Sequence, residues 1–149
     1  GNVQADKLMH FISIAQEIHI QHYLGTDLYD KIASLINADT IAGTVYETLL
    51  IDYVQPMLIH YAMVDFLPFG AYQIKAGGIY KHVSENAETV SKNEIDFLVE
   101  KERTMAEYYT RRFISYMDFN QTSYPEYTSN TNDDIYPDRD EPTFQGWVL

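Results

Sequence analysis

The sequence predicts a mainly α fold: a small bundle of four to five helices with one inserted β-hairpin and an extended C-terminal arm. Three observations predict it. Apolar residues recur at spacings of 3 and 4 over most of residues 1–119, as core-facing helices require. That period gives way to strict alternation around Gly77-Gly78, the signature of a hairpin. From Asp118 onward the chain turns acidic, proline-bearing and poor in aliphatic residues. The organisation expected is therefore a helical domain over 1–119, with a hairpin at 71–83, followed by an acidic arm over 120–149.

Composition bounds the function classes. With 149 residues and 46% apolar content the chain fits one domain with a substantial core. It has no cysteine, which excludes disulfide frameworks, thiolate metal sites, iron–sulfur clusters and cysteine nucleophiles. Twenty-two acids against ten Lys and Arg give a net charge of −12, so no basic face of any size can track phosphates. Only Arg111 and Arg112 form a local basic pair. The most apolar window, residues 49–67, carries Asp52, Gln55, Pro56, His60 and Asp65. That is too polar for a membrane span and reads as a buried helix. No signal-peptide pattern opens the chain, and Gly1 without a methionine points to processing or trimming.

Each element follows in order. Residues 5–24 place Leu8, Phe11, Ile12, Ala15, Ile18, His19 and His22 on one helical face. Gly25 stops that helix, because glycine takes positive φ cheaply, and Thr26 or Asp27 can cap the next one, to about Asn37. "TVYE", Thr44 to Glu47, is a capping box that opens a third helix. Pro56 removes a backbone donor and clashes near Asp52, so a kink or break is expected there, and "LPFG" is expected to end the run. In "AYQIKAGGIYKHV", Tyr72, Ile74 and Ala76 alternate into Gly77-Gly78, then Ile79, Lys81 and Val83 alternate out, as a type I′ hairpin would. "SKNE", Ser91 to Glu94, is a second capping box and opens the longest helix, to about Phe119. Its inward stripe is Ile95, Leu98, Val99, Glu102 or Met105, Ala106, Tyr109, Phe113, Tyr116 and Met117. Glu107 and Arg111 are spaced for an i, i+4 pair.

The last 32 residues carry seven acids and one arginine, net −6, with Pro125, Pro137 and Pro142. Such a segment cannot offset its ordering entropy with its own apolar surface. Tyr124, Tyr127, Ile135 and Tyr136, with Phe144, Trp147, Val148 and Leu149, are its anchors, seated on its own core or on another chain.

No catalytic, cofactor or metal constellation stands out. His19 and His22 share a helix face, but Gln16 stands where a ferritin-like Glu-x-x-His pattern needs glutamate, and no HExxH is present. They read as packed, hydrogen-bonded histidines. Asp52 and Asp65 read as the solvent edge of their helix or as partners of a cation, not as an acid–base pair. Gly77-Gly78 lacks the GK[ST] ending of a phosphate loop. Thirteen tyrosines suit either a core or protein interfaces.

At "AQEIHIQHYLGTDLYDKI" and "YETLLIDYVQPMLIHYAMVDFLPF", with the hairpin and the long last helix, the sequence resembles small proteins encoded in phages and prophages of Bacteroides and relatives. These are head-to-tail connector or neck adaptor proteins, including the ring proteins of crAss-like phages. The resemblance covers roughly residues 3–119, with a loosely similar "GWVL" ending, and its motifs concern helix corners and packing. It implies no enzyme but a virion structural protein of the phage neck, assembled in the host cytoplasm. It implies a homo-oligomeric ring between portal and tail that contacts the portal and other neck or tail proteins. It also implies DNA only as non-specific passing cargo, and no membrane. An acidic lumen would repel phosphates and let DNA slide. In that setting Tyr72, Ile74 and Ile79 of the hairpin, and Tyr124, Tyr127, Tyr136 and Trp147 of the arm, are the expected interaction residues. Two other classes remain open: a small helical metalloenzyme using His19, His22 and His60, and a monomeric helical binding module.

Overall fold

A computed structural model describes residues 2–77, 92–131 and 134–142. Its first rod joins α1 (Asn2–Ala15), a π-helical turn (Gln16–Ile20) and α2 (Gln21–Leu24). A π turn widens the spiral by one residue and so rotates everything after it. Consequently Ile18 faces solvent and His22 is exposed, against the expected stripe, while Ala15, Ile20 and Leu24 are buried. Gly25 ends the rod at φ 79°, ψ 158°, a backbone region open essentially to glycine. From there α3 (Thr26–Asn37) departs, burying Leu28 and Ile32.

The second rod joins α4 (Val45–Leu49), another π turn (Leu50–Val54) and α5 (Gln55–Gly77). Its expected capping box is not made, the N-cap Thr44 having no side-chain cap bond. Glu47 reaches back to the Gly43 N–H at 3.3 Å, but the Thr44 hydroxyl donates to the Ile41 carbonyl at 2.7 Å. The break expected at Pro56 is absent. The Gln55 N–H donates five residues back, to the Leu50 carbonyl, so the wide turn makes room for a ring that an α-helix would reject. Nor does "LPFG" end the helix, for Pro68 lies inside α5. Phe66 and Phe69, on either side of it, pack their rings on Phe11 of α1 with centroids 6.1 and 5.6 Å away, which holds the helix across the missing bond.

The hairpin expected over 71–83 is not seen. Residues 71–77 continue α5, and 78–83 lie outside the described residues. Ala71, Gln73, Lys75 and Ala76 are good helix formers, and extending an existing helix needs no new nucleus. The longest helix, α6 (Lys92–Phe119), matches its expected bounds, though Ser91 lies outside the described residues. It buries Ala106, Thr110, Phe113, Ile114 and Met117, but Leu98 and Met105 are exposed, so the expected inward stripe holds only for its second half. The central helix is α5, packed against α1 and along α6.

The acidic segment differs most from expectation. Instead of an extended arm, residues 120–131 and 134–142 form a strap that completes the same core. A 3-10 turn (Gln121–Ser123) and α7 (Pro125–Thr128) drive Tyr124 and Tyr127 inward until both are fully buried. Full burial of one such side chain contributes about 1.5–3 kcal/mol, which a segment of polar residues gains only by reaching back to earlier helices.

Candidate interaction surface

The strap is held by polar groups that local sequence does not pair. Tyr124 Oη donates to the Val45 carbonyl at 2.9 Å and lies 2.8 Å from the Tyr116 hydroxyl, so both capacities of a buried phenol are met. Burial, the Tyr116 hydrogen bond and neighbouring phenols raise its pKa. Tyr46 donates to Glu126 at 2.5 Å. Tyr127 is pushed up to about 12, burial prevailing over the opposite pull of Arg139. The Arg139 guanidinium lies 4.8 Å from the Tyr127 ring centroid and donates to the Tyr127 carbonyl at 3.0 Å.

The same strap caps α3. The Thr26 N–H donates to the Ile135 carbonyl and the Ile135 N–H returns to the Thr26 hydroxyl, both at 3.0 Å. The Asp27 N–H donates to Asn130 Oδ1 at 3.0 Å, and Asp27 Oδ2 accepts from the Thr131 N–H at 2.7 Å. First-turn donors that Thr26 or Asp27 was expected to cap locally are thus satisfied from more than a hundred residues away. Pro137 sits directly on the corner: a Cβ at Gly25 would lie 2.6 Å from its Cγ.

Each of the three histidines has its own partner. His19 stacks flat on Tyr61, centroids 4.1 Å apart, and burial lowers its pKa, with His22 acting in the same sense and Asp65 opposing. His22 Nε2 meets Asp138 Oδ2 at 2.7 Å, and the His22 carbonyl accepts from the Asp138 N–H at 3.0 Å. His60 pairs with Glu102 and stacks on Tyr109. Among the described residues no group of three His, Asp or Glu is placed to hold a metal ion. Asp52 and Asp65 are exposed, on the helix edge where the sequence put them. Glu107, beside Arg111 and Arg103, still has its pKa raised because burial outweighs both cations.

One outward face of α6 carries several large apolar side chains among its polar ones. On α6 the exposed residues Phe97, Lys101, Met105, Tyr108, Arg112, Ser115 and Phe119 follow one another at spacings of 4, 4, 3, 4, 3 and 4. That is a single helical face, about 33 Å long. Phe97 is 63% exposed and Phe119 is 90% exposed. Its upper part, around Phe97, Lys101 and Met105, borders a shallow hollow. Its lower part forms the wall of a groove of about 520 Å³, whose lining includes Tyr53, Tyr108, Arg112, Tyr116, Phe119 and Glu141. Arg112 lies 5.4 Å from the Tyr53 centroid and 5.9 Å from that of Tyr109. Ile51 and Ile59 are also about half exposed on the second rod.

The expected interaction residues are scattered by the fold. Tyr124 and Tyr127 belong to the core and are not free anchors. Tyr136 is 60% exposed, with Arg139 5.5 Å from its ring centroid. Tyr72, 66% exposed, lies with Ile74 in the last turns of α5, on a helix and not a hairpin strand. Ile79 and Trp147 lie outside the described residues. Sequence reasoning missed Phe97, Met105, Tyr108 and Phe119 as one face, although their spacing alone carries that signal.

A family described as "Family of unknown function (DUF6712)" matches residues 20–136. Comparison with curated proteins and with solved structures finds no match. The matched span runs past the end of α6 and through the strap as far as Tyr136, so it takes in the long-range caps as well as the helices.

Proposed function

The chain belongs to this family of unknown function, and we propose, from the sequence resemblance and the surface described above, that it is a structural subunit of a phage neck, forming a ring between portal and tail that extends the DNA channel. The observation that carries the reading is the outward face of α6. A helix in a monomer normally turns its polar side to water, and a run of Phe97, Met105, Tyr108 and Phe119 on that side is what a subunit contact needs. Aromatic residues, methionine and arginine are the types enriched at the centres of such contacts. The net charge of −12 supports the second half of the reading: a lumen lined by acids repels phosphates, so DNA passes without adhering. His22 and His60 pair with Asp138 and Glu102, and His19 is stacked on Tyr61, which fits structural roles for these three imidazoles.

The strap's seats on its own bundle favour a second reading, a monomeric helical binding module, because its described residues, 120–131 and 134–142, find their partners within the chain. Variants on the α6 face separate the two. Phe97→Glu together with Met105→Glu, both at exposed positions, should leave the helical circular dichroism unchanged and reduce the sedimenting species to single subunits. Assembly that persists undiminished in the double variant would remove the α6 face from the account.

A further inference from the structure

Between the two rods and α3 the fold leaves a recess of about 190 Å³, and no described residue of α6 lines it. Of its lining residues, Ile20, Leu24, Ile32 and Val54 are buried, whereas Ile36 and Asn37 are exposed, so it opens at the C-terminal end of α3. Both π turns border it, each with its first and last residue: Gln16 and Ile20 from one, Leu50 and Val54 from the other. π turns are rare and recur at functional sites. Two of them, on separate rods, opening on one void larger than a water molecule are not what a core packed for stability alone requires. The lining is chemically divided. Its body is aliphatic and carries no charged side chain, while the Gln16 and Asn37 carboxamides and the Tyr29 phenol supply its polar groups. Among the described residues none of these three side chains makes a hydrogen bond.

We propose that this recess binds a small neutral molecule: a ring-sized apolar body bearing one hydroxyl, carbonyl or amide group. Size sets the body, for a dry cavity of about 150 Å³ holds benzene, and 190 Å³ takes a six-membered ring with a short substituent. The lining sets the charge, because an ion would give up its hydration to aliphatic walls that offer no counter-charge. Carboxamides and a phenol both donate and accept, so they suit either sense of hydrogen bond at the ligand's polar end. A few such groups on an otherwise apolar wall orient a ligand whose body the wall holds. The polar end then faces Asn37 at the opening, and the ring lies among Ile20, Leu24 and Val54. This inference does not rest on the phage-neck reading, and it holds equally for a single subunit.

Benzyl alcohol, toluene and benzylammonium share one ring and test the three parts of the claim by titration into the full chain, followed on the methyl resonances of Ile, Leu and Val. Benzyl alcohol should shift the signals of Ile20, Leu24, Ile32 and Val54 saturably, and should bind about tenfold tighter than benzylammonium despite the acidic chain's attraction for a cation. Toluene should bind more weakly than the alcohol, and Gln16→Leu with Asn37→Leu should erase that difference. Two variants remove the space: Ala33→Phe from within α3, and Ile36→Trp at the exposed mouth, where the fold tolerates a larger ring. Each, with helical circular dichroism intact, should abolish saturation, whereas Phe97→Ser on α6 should not. Shifts that stay linear to the solubility limit of benzyl alcohol would overturn the proposal, as would saturation that survives in both filled variants. Benzylammonium binding as tightly as the alcohol would overturn the neutral class, and toluene binding as tightly would overturn the hydrogen-bonding end.

Discussion

At His19 the imidazole lies flat on Tyr61, and burial outweighs the nearby Asp65 carboxylate in setting its charge. Its pKa in the folded chain is below the ordinary 6.5, so between the two values the unfolded chain binds the extra proton. The contribution to stability is therefore whole above pH 6.5 and is lost as pH falls through 6.5 toward the folded value. His19→Phe keeps the stacked ring and removes the titration. Urea denaturation from pH 7.5 down to about pH 5 should show the wild type losing more stability than the variant. Parallel pH profiles would mean that the stack does not hold the imidazole neutral. The buried phenol of Tyr124 and the partly buried ones of Tyr23 and Tyr46 act at the other end of the scale: their pKa values are raised, chiefly by burial, so they stay protonated where exposed tyrosines ionise.

Among the elements, the helices were legible where their signals are local and the strap was not. Gly25 marks the corner because only positive φ turns the chain there, and the capping signals at Thr26 or Asp27 and at Ser91 to Glu94 placed the starts of α3 and α6. The first π turn escaped notice because it leaves no composition mark, yet it moves Ile18 and His22 outward. Alternation over Tyr72, Ile74 and Ala76 was too short a run to outweigh helix formers attached to an existing helix. The strap was misread for a deeper reason: polarity measures what a segment can bury against itself. Tyr124 finds its acceptor at Val45, and Ile135 pairs both its N–H and its carbonyl with Thr26, far upstream. Gly25 joins the two halves, and its substitution tests the joint. In Gly25→Ala a methyl group would meet Pro137 at 2.6 Å on a backbone with φ of 79°. The variant should lose about 2 kcal/mol or more, from backbone strain together with displacement of the strap. An unchanged urea midpoint would show that Pro137 does not bear on the corner.

Over the whole molecule, the candidate site was legible only in part. The acidic balance was visible in composition, but the surface that matters is what remains of α6 after α5 and the strap have taken their sides. That remainder depends on the packing, so the reading placed its contacts on Tyr124 and Tyr127, which the core had already claimed. With those two withdrawn, the assembly proposed above would work through Phe97, Met105 and their neighbours, whose apolar area the single chain leaves exposed. Native mass measurement of the chain, alone and mixed with a candidate phage portal protein, tests this proposal most directly. The account predicts a discrete multiple of the 17.3 kDa subunit, closed at one copy number and joined to the portal. A single 17.3 kDa species at every concentration, indifferent to the portal, would contradict it.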